Sequence, residues 1–207
     1  MNKNSLSGLR LGLTGGMGCG KSTAAGIFRE LEFGVLESDE IVREIWKKDE
    51  SVKEATVKRW GSGVSLKGNK GALGIDRRKV AEIVFGNKKE LEWVEGLLHP
   101  LVRAKWQGAV DAEPGRDWVV EIPLLFEKSL ASAFDFTLCV WASPARQAER
   151  LRERGLSGAE VAARQARQWP LQRKADEADF VVLNDGSLDF LRQQIGLVAS
   201  RLREGRS

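Results

Sequence analysis

The string Gly15-Gly16-Met17-Gly18-Cys19-Gly20-Lys21-Ser22 constrains this chain more than any other feature, because it fits G-x-x-x-x-G-K-[ST] without a gap. Residues 9–14 before it, with leucine at every second position from Leu9 to Leu13, read as a strand. Residues 22–32 after it read as a helix with apolar positions at Ala24, Ile27, Phe28 and Leu31. A glycine-rich turn between strand and helix aims several backbone N–H groups inward, and the helix adds the positive end of its dipole. The expected ligand is the phosphate chain of a nucleotide. Gly16, Met17, Gly18, Cys19, Gly20, Lys21, Ser22 and Thr23 would line it, Lys21 reaching the β- and γ-phosphates and Ser22 offering its hydroxyl to Mg²⁺. A loop that is merely flexible leaves the Lys-Ser pair after the last glycine unexplained. Cys19 has two readings: a small spacer, or a thiolate activated by the helix N-terminus and Lys21.

Four more short apolar runs follow. They span residues 34–38, 118–122 (halted by Pro123), 136–141 and 180–183. None alternates cleanly, so each reads as a strand buried on both faces, and helical stretches separate them. The expected fold class is therefore α/β: a P-loop, doubly wound, five-stranded parallel sheet. Helical periodicity covers residues 41–60 and 77–110, joined by a polar, glycine-rich stretch from Gly61 to Gly71 that reads as a surface loop. Another helical block runs from Ser143 to about Glu177, and a last helix starts near Ser187. The chain is thus expected to be one domain, 1–207, with its core in 8–40, 116–142 and 178–207. A helical acceptor-binding insertion would occupy 41–115 and a small helical lid 143–177.

Composition narrows the function classes. The chain has 207 residues, enough for one α/β domain with an insertion. Its net charge is +4, but 33 basic residues are interleaved with 29 acidic ones and no nucleic-acid motif accompanies the excess. No nucleic-acid partner is expected. No apolar run approaches the roughly 20 residues needed to cross a bilayer, and the start lacks a signal peptide, so a cytoplasmic location without membrane partner is expected. Cys19 and Cys139 fit no metal spacing or disulfide framework. A GTPase would need Asn-Lys-x-Asp at a strand end, and the nearest string, Asn87-Lys88-Lys89-Glu90, ends in glutamate within a helical region. The tryptophans read as packing residues.

Six motifs in order resemble the dephospho-coenzyme A kinase family, almost end to end. They are Leu11 to Thr23, Ser38 to Arg43, Gly74 to Phe85 with Leu98-His99-Pro100, Glu121 to Glu127, Gln168, and Ala178 to Gly186. The resemblance implies transfer of the ATP γ-phosphoryl group to the ribose 3′-hydroxyl of dephospho-coenzyme A, the last step of coenzyme A biosynthesis. ATP and dephospho-coenzyme A would be the ligands, Mg²⁺ the metal, and no obligate protein partner is evident. Asp39, at the end of the second strand, would orient the acceptor hydroxyl and accept its proton; a helix N-cap is its other reading. Glu121 would organise Mg²⁺ partly through water, or serve as a buried structural carboxylate. Arg43 would bind acceptor phosphate or pair with a carboxylate, and Arg77, His99 and Arg103 would lie on the acceptor side. His99 could equally cap or pack. Arg150 would neutralise charge on the transferring phosphoryl, whereas Arg146 reads as a solvated residue paired with Glu149. Asn184 and Gly186 would flank adenine. The chain departs from the family pattern at Glu37 and Glu121, each glutamate where aspartate is usual, and at Trp169-Pro170. A nucleotide or small-metabolite kinase, or a non-catalytic ATP-binding module, are the rival readings.

Overall fold

The computed structural model describes residues 8–67 and 73–204. Residues 68–71 of the expected loop and the last three residues of the expected core lie outside them. Along the chain the elements run β1 (Arg10–Gly15), α1 (Lys21–Glu30), β2 (Gly34–Glu37), α2 (Ser38–Lys48), α3 (Glu50–Trp60), β3 (Ser65–Lys67), β4 (Leu73–Ile75), α4 (Arg77–Phe85) and α5 (Lys88–Ala112). They continue with β5 (Trp118–Glu121), β6 (Phe136–Trp141), α6 (Pro144–Glu153), α7 (Gly158–Gln165), α8 (Leu171–Glu177), β7 (Phe180–Leu183) and α9 (Leu188–Glu204). Two compact units result: Met1–Glu37 with Val110–Ser207, and Ser38–Ala109.

The first unit is a five-stranded sheet in the order β2-β5-β1-β6-β7, every pair parallel. All five strands fall where the apolar runs place them. Leu9, just before β1, and Leu11 and Leu13 within it alternate into one core with Ile27 and Phe28 of α1 and Leu191 and Ile195 of α9. On the opposite face Gly12 leaves room for neighbours: a Cβ there would stand 2.9 Å from the Phe134 ring and 3.2 Å from a Leu125 methyl. Both faces are therefore filled, as a doubly wound sheet requires. Leu11, Leu13 and Leu138 are 0% exposed, so truncating any one to alanine should cost about 2–5 kcal/mol.

Parallel ladders leave backbone N–H groups unpaired where strands begin and end, and aspartates meet several of them here. Asp117 accepts from Leu9 N at 2.9 Å, Asp179 from Thr137 N at 2.7 Å and Asp185 from Ser143 N at 2.9 Å. Ser143 then caps α6, with Pro144 at its first position. Asp185 thus joins the segment leaving β6 to the segment leaving β7. Both lie on the edge of the sheet where the loop after β1 also emerges.

The second unit is mostly helical. The stretch expected as helix from 41 to 60 is divided at Asp49, whose side chain accepts from Val52 N at 3.2 Å and starts α3. A second break falls at Asn87, which accepts from Lys89 N at 3.0 Å and starts α5. Asp76 caps α4 by accepting from Arg78 N and Lys79 N. The expected surface loop is corrected in part. Ser62–Val64 form a turn of 3₁₀ helix, and β3 pairs antiparallel with β4, Ser65 opposite Ile75. Strands of three residues on a glycine-rich background offer too little alternation to be read as strands.

Candidate active site

The glycine loop owes its path to backbone conformations that only glycine adopts cheaply. Gly18 has φ 79° and Gly20 φ 90°, both left-handed. A Cβ on Gly18 would stand 2.9 Å from the Gln147 carbonyl oxygen, and one on Gly20 would strike the Asn184 amide nitrogen. Gly20 is also the N-cap of α1, and it offers no side-chain acceptor; no acidic residue follows in the first turn. The opening N–H groups of α1 therefore keep their capacity for an anion, and the helix dipole is not offset.

Side chains then brace the loop. Lys21 Nζ donates to Gly16 O at 3.1 Å and lies 3.9 Å from Glu121 Oε1. Glu121 closes β5 level with Leu13 and with Glu37 on the two flanking strands, and it is only 3% exposed. Here the Glu37 carboxylate turns to Arg29 of α1 at 3.3 Å, so its added methylene is used within the fold. Ser22 and Thr23 are exposed at the head of α1, and Met17 is half-buried.

Asn184 and Arg150 close the loop from the other side. Asn184 Nδ2 donates to Cys19 O at 2.8 Å. Arg150 donates to Gly18 O at 3.2 Å, Cys19 O at 3.4 Å and Asn184 O at 2.7 Å. This departs from the phosphoryl-facing placement expected for Arg150: its guanidinium is taken up by backbone carbonyls, and it holds the loop. Arg146 does pair with Glu149, at 2.8 Å on the exposed face of α6. Gly186 lies exposed beside Phe190.

The reactive-thiolate reading of Cys19 is corrected. Its side chain is 0% exposed, and burial pushes the thiol up in spite of the opposing pull of Lys21. Burial likewise pushes Cys139 up to about 12.

A buried ion pair was missed from the sequence. Lys174 of α8 is 0% exposed and lies 2.8 Å from Glu127 Oε1. Its ammonium also donates to Pro123 O at 2.6 Å, while Trp169 N donates to Glu127 Oε1 at 2.7 Å. Trp169 itself stacks on Phe126 (6.3 Å, 11°) with the Arg173 guanidinium 3.4 Å from its ring centre. The sequence carries only a slight signal for Lys174. That lysine shares a helix face with Leu171 and Ala175, both apolar.

In the second unit, Asp39 lies exposed in the first turn of α2, which starts one residue earlier at Ser38. The helix therefore does not use Asp39 as its N-cap. Arg43 Nε donates back to Asp39 O at 3.2 Å. Arg77 still reaches solvent, yet partial burial and then the charge of Arg43 hold its guanidinium below its ordinary value, with Asp39 pulling the other way. Asp39, Arg43 and Arg77 thus form one electrostatic cluster, two cations to one anion. His99 and Arg103 are both exposed, one turn apart on α5.

A five-stranded parallel sheet with helices on both faces, a glycine loop at the edge of its strands and a lysine against a strand-terminal carboxylate define a P-loop kinase. A family model for dephospho-CoA kinase matches residues 9–189. The dephospho-CoA kinase of Gloeobacter violaceus is 39% identical over 89% of this chain and 88% of its own length. A Thermus thermophilus crystal structure covers 95% of this chain and 98% of its own, with 32% identity and a TM-score of 0.78. Dephospho-CoA kinase from Campylobacter jejuni follows at 27% identity, 96% and 98% coverage and a TM-score of 0.66. The chain belongs to the dephospho-CoA kinase family.

Proposed function

We propose that this chain transfers the γ-phosphoryl group of ATP to the ribose 3′-hydroxyl of dephospho-coenzyme A, giving coenzyme A and ADP. The observation that carries the reading is Lys21, held at the head of an uncapped helix by Gly16 O and facing Glu121 at 3.9 Å. Phosphoryl transfer requires positioning and charge neutralisation more than covalent work by the protein, and this arrangement supplies both. The N–H groups from Gly16 to Thr23 bind the triphosphate, and Lys21 follows the β- and γ-phosphates. Asn184 and Gly186 border the adenine. Arg150 fixes the loop through carbonyls and is a positioning residue. Asp39 orients the acceptor hydroxyl and takes its proton. Arg43 and Arg77, whose paired positive charges exceed the single charge of Asp39, receive acceptor phosphate, with His99 and Arg103 as further acceptor-side groups.

Mg²⁺ suits the donors at hand. The Ser22 hydroxyl and the Glu121 carboxylate are hard oxygen ligands. Among the described residues no group of three or more His, Cys, Asp or Glu could hold a metal by itself. That fits an ion held largely by nucleotide phosphates and water. When bound, Mg²⁺ neutralises charge building on the β- and γ-phosphate oxygens. No described helix is long and apolar enough to cross a membrane, in keeping with a cytoplasmic enzyme.

ADP release measured with and without dephospho-coenzyme A tests the reading. Turnover that depends on that acceptor is expected. Activity confined to a nucleoside monophosphate or another metabolite would replace it with the rival kinase reading.

A further inference from the structure

Lys174 is the most deeply buried charged residue among those described. Charge in such a place needs a reason. A buried ion pair gives little net stability over apolar residues of equal volume, because desolvation offsets the attraction. Lys174–Glu127 is such a pair, at 0% and 8% side-chain exposure. Its bonds run to places that matter for geometry. The ammonium grips Pro123 O, two residues beyond Glu121, and Thr14 Oγ1 donates to the same carbonyl at 3.4 Å. Proline cannot extend the β5 ladder, so the turn it begins is fixed by these two donors and by Glu127 at its far end. Glu127 in turn takes Trp169 N, tying down the residue two before the start of α8. The charge of Lys21 also acts on Lys174, where with burial it works against the pull of Glu127. Each ammonium thus stands beside its own buried carboxylate, Lys21 beside Glu121 and Lys174 beside Glu127, and each charge is felt at the other.

We infer that Lys174 is a positioning residue for phosphoryl transfer: it clamps Pro123 and Glu127 so that the Glu121 carboxylate keeps its place against Lys21. Being fully buried, it touches neither nucleotide nor acceptor. The inference rests on the kinase reading above. It also predicts that stability and turnover can be separated.

The test compares wild type, Lys174→Met, Lys174→Arg and the double variant Lys174→Met/Glu127→Met in melting temperature, ATP affinity by calorimetry, and kcat and KM with dephospho-coenzyme A. The single Met variant strands a buried carboxylate and should melt lower. The double variant removes both charges and should melt near wild type or above it. In both, kcat should fall about tenfold or more, as small misplacements near a phosphoryl centre do. ATP affinity should stay within about twofold. Lys174→Arg, which keeps charge and donors, should recover part of the lost kcat. A double variant with wild-type kcat would overturn the inference, and it remains informative if the single variant does not fold. Should wild type use a different acceptor, the substrate reading fails and the same four-way comparison is made on that acceptor. Wild type that transfers to no acceptor overturns both.

Discussion

The sheet unit and the helical unit hold their proposed ligand groups in opposite ways. Around the glycine loop the contacts are buried and mostly involve backbone: two left-handed glycines, an uncapped helix, and carbonyls held by Lys21, Arg150 and Asn184. In the helical unit Asp39, Arg43, Arg77, His99 and Arg103 are all exposed side chains on helix surfaces. Backbone geometry is costly to change and forces particular residues at particular spacings. Exposed charges can be rearranged by a rotamer change. The first region should therefore respond to substitution through folding and nucleotide binding together, the second through turnover and acceptor binding alone.

The largest effect should come from Lys21→Met, which removes the ammonium that lies 3.9 Å from Glu121. A loss of about 10²–10³-fold in kcat is expected, comparable to removing a donor from an oxyanion site, and single-turnover phosphoryl transfer would measure it. Asp39→Asn should lower turnover by about 10²-fold with ATP affinity unchanged. Near-normal turnover would break the contrast by removing the catalytic half of the helical unit. Gly20→Ala should destabilise the fold by about 1–3 kcal/mol through its left-handed backbone and weaken ATP binding in parallel, seen by thermal melts and calorimetry. Stability loss with intact ATP affinity would mean the loop is structural only. Arg77→Met should raise the KM for the acceptor about tenfold, as loss of a charged hydrogen bond does, and leave melting almost unchanged.

The smallest expected effect is none. A thiol reagent at pH 8 should label neither Cys19 nor Cys139 in the folded protein and both after denaturation, with or without ATP. The same burial has a stability consequence with a defined sign. The Cys139 proton is held to about 12 in the fold against an ordinary value of 9.0. Its contribution is full below pH 9 and is lost as pH rises toward 12.

Sequence order carried much of the sheet unit. Five apolar runs and one glycine string depend on local rules, and each fell on a strand or on the loop. The β3–β4 hairpin was not legible, because its strands of three residues have no period long enough to detect. The bonds of Arg150 to the glycine loop were not legible, because they depend on carbonyls of residues 18, 19 and 184, far away in sequence. The burial of Lys174 was the hardest to read. A lysine between Arg173 and Ala175 looks solvated until Glu127 is brought against it, and only the fold does that.

The double use of the Cys19 carbonyl, by Asn184 and Arg150, has a thermodynamic corollary. A loop already laced to two distant segments has lost its conformational freedom during folding, so ATP need not supply that ordering when it arrives. Association should then be fast, with little kinetic lag. Cutting the lacing at Asn184 should appear mainly as an entropic penalty on nucleotide capture, with the phosphate contacts themselves left intact.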